Sequence, residues 1–126
     1  MADHEAGSRE WLDQVNEEII DPEREIVDPH HHLWRRIRWF KYLLEDLWTD
    51  TGSGHNIRKT VFVQCRSSYR TDGPEHLKPV GETEFVAEIA EESHKSPESQ
   101  ARIAGIVSFA NLTQGDLVEE ILDAHE

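Results

Sequence analysis

Three short apolar segments, separated by stretches of helical or loop character, constrain the fold of this chain more than any other feature. The clearest, Thr60–Cys65, is rich in β-branched residues, which is typical of a strand buried in a parallel sheet. Two further strands are predicted at Ile26-Val27, running into histidines, and from Ile103 to Phe109. Helical spacing occurs at Phe85, Val86, Ile89 and Ala90, and again at Leu117, Val118, Ile121 and Leu122. This alternation predicts an α/β fold with a parallel sheet.

The predicted fold class is an incomplete (β/α)₈ TIM barrel, with about three βα units preceded by a short N-terminal helix. A closed barrel needs ~250 residues, whereas this chain has 126 and ends at Glu126 within a helical pattern. We therefore expect two regions. Residues 1–22 form an N-terminal arm with a short helix between Glu10 and Ile20, and residues 23–126 form the N-terminal part of a larger barrel. An open three-layer sandwich is the alternative.

The charge of the chain limits its partners. With 26 acidic and 13 basic residues, the formal net charge is -13. Phosphate binding needs clustered lysine and arginine, so this charge argues against nucleic acid and anionic membranes. One cysteine excludes an internal disulfide, and no apolar run reaches the ~20 residues of a membrane span. We expect a cytoplasmic protein with a small-molecule substrate, and the sequence leaves homo-oligomerisation open.

The candidate site is the run Asp28-Pro29-His30-His31-His32. Side chains alternate along a strand, so Asp28, His30 and His32 project to one side and His31 to the other. Proline has no N–H for a sheet ladder, so regular pairing is expected to end near Pro29. Two imidazoles at the end of a strand can bind one divalent metal. A solvated, histidine-rich loop is the alternative.

Other residues near the strand ends have more than one interpretation. Asp28 contacts the metal, orients a ligand histidine, or accepts a backbone hydrogen bond at the strand end. His31 is predicted to pack or to support a ligand. Gln64 and Arg66 are the candidate catalytic residues, because at the end of a strand either can hold a substrate carboxylate or carbonyl. Ordinary solvation of a loop is their alternative.

The remaining candidates are predicted to be structural. Cys65 is expected to be a small core residue, and Glu82 to stabilise the first turn of a helix through the macrodipole. The aromatic stretch from Leu33 to Trp48 is an irregular loop or short helix over a pocket mouth, or else it packs in the core. Four histidines without ligand spacing are expected at the surface: His55, His76, His94 and His125.

Taken in order, several segments resemble the amidohydrolase-related family of metal-dependent TIM-barrel hydrolases, which also includes lactonases and decarboxylases. The resemblance covers nearly the whole chain from about Trp11 onward. The matching segments are 26–34 (IVDPHHHLW), 42–44 (YLL), 61–64 (VFVQ), 81–86 (GETEFV) and 104–107 (AGIV).

The resemblance implies a divalent metal at the mouth of a barrel, with His30 and His32 as its ligands from the first strand. Imidazole nitrogen suits zinc, which is the expected ion, and Asp28 on the same side of the strand is the third candidate ligand. It implies a hydrolase that activates water for attack on an amide or lactone carbonyl. In that family further ligands and a general base come from later strands, so the resemblance also implies weak or no activity of this chain alone. A non-enzymatic truncated remnant, a metal-independent lactonase and a decarboxylase are the alternatives.

Overall fold

A computed structural model describes residues 5–37 and 40–126 of the chain. Its strands are β1 (Glu25–His31), β2 (Trp34–Ile37), β3 (Phe40–Tyr42), β4 (Asn56–Val63) and β5 (Arg102–Val107). Its helices are α1 (Arg9–Leu12), α2 (Leu44–Thr51), α3 (Val80–Lys95) and α4 (Leu117–Asp123), with a 3₁₀ turn at Glu75–Leu77. Strands β1, β4 and β5 form a parallel sheet in the order β1-β4-β5, and β2 pairs with β3 antiparallel. Within these ranges no helix is long and apolar enough to cross a bilayer.

The prediction of an incomplete (β/α)₈ TIM barrel was wrong. The parallel strands form an open three-stranded sheet with β1 and β5 at its edges, and the β2–β3 pair interrupts the alternation after β1. One face of the sheet is covered by helices, whereas Val27 and Val107 on the other face are 55% and 50% exposed. The three-layer alternative therefore does not describe these residues either. Alternation in a sequence predicts parallel neighbours, but closure depends on partners for both edge strands, which local patterns do not encode.

The core lies between the covered face of the sheet and two helices. Phe62 of β4 and Ile103 of β5 pack with Phe85 and Val86 of α3, and the same cluster contains Leu33, Leu44 and Leu47. Fully burying a side chain of this size stabilises a fold by roughly 1.5–3 kcal/mol. Leu33 directly follows His32, so this core also fixes the end of β1.

The aromatic stretch after β1 is a β-hairpin followed by the short helix α2. A short helix and core packing were both among the interpretations of this stretch, whereas the hairpin was not. The rings of Trp34, Phe40 and Tyr42 contact one another, with centroids 5.4 to 6.4 Å apart. Trp48 of α2 instead packs on the core, and its indole N–H donates to the Ala101 carbonyl at 2.9 Å. Aromatic residues favour extended backbone, which explains the hairpin. Arg38 and Trp39 lie outside the described residues.

The N-terminal arm contains much less helix than predicted. Helix α1 covers only Arg9–Leu12, capped by the Ser8 hydroxyl, and the following residues are not helical. Val15 and Ile20 are 72% and 98% exposed. A short amphipathic helix is stable only where its apolar stripe is buried against another surface. Here the stripe has no such surface within the described residues, so the periodicity alone does not produce the helix.

Candidate metal site

His30 and His32 lie at the carboxyl end of β1. The pairing of β1 with β4 becomes irregular between Asp28 and His31. This agrees with the prediction from Pro29, whose missing N–H interrupts the ladder. The chain then turns across the end of β4, which brings the His32 ring against the backbone of that strand.

The two imidazole rings converge, as strand alternation predicted. The Nε2 atoms of His30 and His32 are 3.3 Å apart. The Nδ1 atom of His32 is 2.7 Å from the carbonyl oxygen of Val63. Because a carbonyl oxygen only accepts, His32 carries its proton on Nδ1 and keeps the Nε2 lone pair free. The fold thus fixes the tautomer that a metal ligand requires.

One peptide group extends this support across the sheet. The carbonyl of Val63 accepts from His32, and the N–H of the same peptide unit, on Gln64, donates to the Val107 carbonyl at 2.9 Å. Hydrogen bonds in such a chain polarise one another. The His32 ring is therefore held by β4 and β5 together.

The separation of the two nitrogens fits a shared metal ion. Two nitrogens at ~2.0–2.1 Å from a tetrahedral zinc ion lie about 3.3–3.4 Å apart. The observed Nε2 separation of 3.3 Å matches that value. With the His32 proton on Nδ1, the His30 Nε2–H donates to the His32 Nε2 lone pair, and a metal ion held by both rings would replace that proton.

A cleft of about 330 Å³ adjoins the pair. It is lined by Asp28, His30, His31, His32, Trp34, Tyr42, Leu47, Asp50, Thr51 and Ile57. The Tyr42 hydroxyl donates to the Asp50 carboxylate at 2.6 Å. Burial, together with that contact, raises the pKa of Tyr42, so the phenol remains a neutral donor. Two carboxylates and no described lysine or arginine line the cleft, so its potential attracts cations.

His31 is buried on the opposite side of the strand, in agreement with its predicted packing role. It is 7% exposed and its ring lies 5.9 Å from the Phe62 ring, centroid to centroid. Burial lowers its pKa below the ordinary 6.5, so the ring is neutral at neutral pH. Neither ring nitrogen has a hydrogen-bond partner among the described residues.

In this structure Asp28 accepts a backbone hydrogen bond at the strand end, which is the third of its predicted roles. Its Oδ1 accepts from the backbone N–H of His30 at 3.1 Å, which shapes the turn into the histidines. Within residues 5–37 and 40–126, no cluster of at least three His, Cys, Asp or Glu side chains is arranged to hold a metal. The role of Asp28 as a metal ligand, like those of His30 and His32, stays a prediction.

The candidate catalytic residues Gln64 and Arg66 do not join the histidines in this cleft. Gln64 touches the site through its backbone, and its side-chain Oε1 is buried without a partner among the described residues. Arg66 lines a separate cleft with Tyr69 and residues that follow β5. The sequence pattern correctly placed both residues after the end of β4. The direction of each side chain depends instead on the loop that follows Val63.

Two structural networks near the strand ends were not anticipated. The buried carboxylate of Glu82 accepts from the backbone N–H groups of Cys65 and Ser67, at 3.2 and 2.7 Å. His125, expected at the surface, instead accepts from or donates to Thr83 Oγ1 through Nδ1 at 2.9 Å and donates from Nε2 to the Phe109 carbonyl at 3.1 Å. The position of Glu82 in the first turn of a helix was the only sequence signal for either network.

Cys65 is expected to react slowly as a thiol. Burial raises its pKa, and the neighbouring Glu82 carboxylate, 3.6 Å from Sγ, adds to this effect. Since the thiolate is the reactive form, disulfide exchange with Ellman's reagent at pH 8 should be roughly tenfold or more slower in the native protein than in denaturant. Equal rates in the two states would contradict the half-buried position of Cys65 beside Glu82.

Comparisons with family models, curated proteins and solved structures gave no match to this chain. The resemblance to the amidohydrolase-related family therefore has no support beyond the residues that suggested it.

Proposed function

We propose that the chain binds one divalent metal ion through His30 and His32 and acts as a metal-dependent hydrolase of amide or lactone carbonyls. The observation that supports the proposal is the pair of Nε2 atoms 3.3 Å apart, with the His32 tautomer fixed by the Val63 carbonyl. The negative cleft beside the pair supports it further.

The chemistry of this proposal follows from a metal with few protein ligands. Such an ion, when bound, keeps open positions where it acidifies a water and polarises a carbonyl. The residues of the cleft do the rest: His30 and His32 hold the ion, and Asp28 and Asp50 offer carboxylates for proton transfer. The Tyr42 hydroxyl, whose proton is donated to Asp50, can accept a hydrogen bond from a substrate through its oxygen.

Metal binding is tested on protein stripped with a chelator and titrated with zinc by calorimetry. We expect one ion per chain, with a Kd on the order of micromolar or weaker, because two ligands make a weaker site than three. Substitution of either histidine, His30→Ala or His32→Ala, should weaken binding about 100-fold or more, since even loss of a ligand's hydrogen-bond partner costs 10–100-fold. His55→Ala is the matched control, because His55 is exposed in the loop before β4. An unchanged affinity in His30→Ala would exclude the site.

Hydrolysis is tested separately, with a simple lactone and an anilide as substrates. We expect slow turnover that is lost with chelator, restored by zinc, and absent in His30→Ala. Turnover that survives chelation would indicate a metal-independent lactonase. Zinc binding without turnover of either substrate would leave a metal-binding chain and contradict the hydrolase assignment.

A further inference from the structure

A second cleft, of about 460 Å³, lies outside the carboxyl ends of β4 and β5. One wall follows β4, one precedes α3 and one follows β5; the lining residues are Arg66, Tyr69, Glu75, His76, Lys78, Pro79, Phe109, Asn111 and Gln114. In open α/β sheets, ligands bind in this position relative to the strands. None of the lining residues belongs to the cleft beside the histidines.

The charges in this cleft contrast with those of the chain as a whole. Lys78 pairs with Glu75 at 2.6 Å, and His76 contacts Glu120 at 2.9 Å. Arg66 has no carboxylate within ion-pair distance among the described residues, in a protein with a formal net charge of -13. The charges of Lys78 and Glu75 offset each other, so Arg66 carries the remaining full charge among the lining side chains.

The loop after β4 presents Arg66 in a fixed position. Its φ of 63° is in the left-handed region, which a residue with a Cβ adopts only at an energetic cost. The backbone N–H groups on either side, of Cys65 and Ser67, are both held by the Glu82 carboxylate. The guanidinium therefore extends from an anchored turn, which lowers the ordering cost of binding.

A second donor lies beside the guanidinium. The Tyr69 hydroxyl is shielded from solvent and has no hydrogen-bond partner in the described part of the chain. Burial and the nearby Glu82 carboxylate raise the pKa of this phenol, while the Arg66 guanidinium beside it opposes the rise, so the group stays protonated and able to donate. The neighbouring Phe109, Pro79 and the Tyr69 ring supply an apolar wall.

We propose that this cleft binds a small monocarboxylate with an apolar or aromatic body, the carboxylate held by Arg66 and the Tyr69 hydroxyl. A planar carboxylate matches the two-donor fork of a guanidinium, and the apolar wall takes the rest of the molecule. The proposal does not depend on a metal at His30 and His32.

Benzoate is the probe, titrated into the chelator-treated full chain and followed by amide NMR shifts. We expect saturable binding with a Kd on the order of a millimolar, with shifts at the side-chain amides of Asn111 and Gln114. Benzamide, the neutral isostere, should bind at least tenfold more weakly. Equal binding of the two would overturn the assignment of a carboxylate.

Three variants separate the site from general charge effects. Arg66→Gly should lose benzoate binding by tenfold or more yet fold as well as the parent, because glycine relieves the positive φ. Tyr69→Phe should weaken binding several-fold without loss of stability, since its buried hydroxyl has no partner to lose. Arg24→Ala removes the same charge before the amino end of β1 and should leave binding unchanged. Unchanged binding in Arg66→Gly, or equal loss in Arg24→Ala, would overturn the proposal.

Discussion

Glu82→Ala should destabilise the protein by about 2–4 kcal/mol, as measured by urea unfolding. The Glu82 carboxylate is 2% exposed and accepts from the N–H groups of Cys65 and Ser67 and from the Ser67 hydroxyl. Alanine leaves those donors without an acceptor, and each buried unsatisfied donor costs about 1–3 kcal/mol. The loop has little room to relax after the substitution, because its backbone passes close to α3 at Gly81. A Cβ added at Gly81 would lie 2.6 Å from the backbone nitrogen of Arg70.

Two further variants test the cause of that loss. In Glu82→Gln the retained Oε1 can still accept from both backbone groups, so we expect a loss of only about 1 kcal/mol from the missing charge. Glu84→Ala removes a carboxylate two positions along α3 that pairs with Arg70 at the surface, where such pairs contribute about 0–1 kcal/mol. If Glu82→Ala costs no more than Glu84→Ala, the carboxylate does not anchor the loop.

Phe62→Ala should cost about 3–5 kcal/mol, the usual range for removing a buried phenylalanine. Phe62 is fully buried at the centre of the cluster that joins β4 to α2 and α3. Its ring also contacts the His31 and His32 rings, at centroid distances of 5.9 and 6.4 Å. Loss of the ring therefore leaves a cavity beneath the candidate metal site, and unfolding in urea should occur at a clearly lower concentration.

A milder change keeps this prediction measurable if the alanine variant does not fold. Phe62→Leu retains most of the apolar volume and should cost under about 1.5 kcal/mol. Leu112→Ala, at a side chain 70% exposed, is the control and should change stability by less than about 0.5 kcal/mol. Similar losses in Phe62→Ala and Leu112→Ala would contradict the position of Phe62 in the core.

Local patterns predicted the parallel strands well and the segments between them poorly. The β-branched run around Val61 gives a strand, Asn56–Val63, and the spacing from Phe85 gives the helix Val80–Lys95. In both segments the spacing of the apolar residues matches the face of the strand or helix that the structure buries. At Trp11 and Val15 the same helical period has no surface to bury it, and the helix stops at Leu12.

The candidate site shows the same division. Alternation placed His30 and His32 on one side of β1, because side-chain direction follows directly from extended backbone. It could not find Tyr42 and Asp50, since their place in the cleft depends on how the hairpin and α2 fold back over β1. It also could not separate Arg66 from the histidines, because the direction of Arg66 is set by a turn anchored to Glu82, far along the chain.

The sequence by itself determined the three parallel strands, the shared side of the two histidines and the irregular pairing at Pro29. These properties depend on backbone geometry over a few residues, which the side chains specify locally. Only the tertiary structure decided that the sheet is open, that Val63 fixes the His32 tautomer, and that Arg66 faces a cleft of its own. Each of those depends on contacts between segments distant in the chain, where packing and hydrogen-bond satisfaction outweigh local preference.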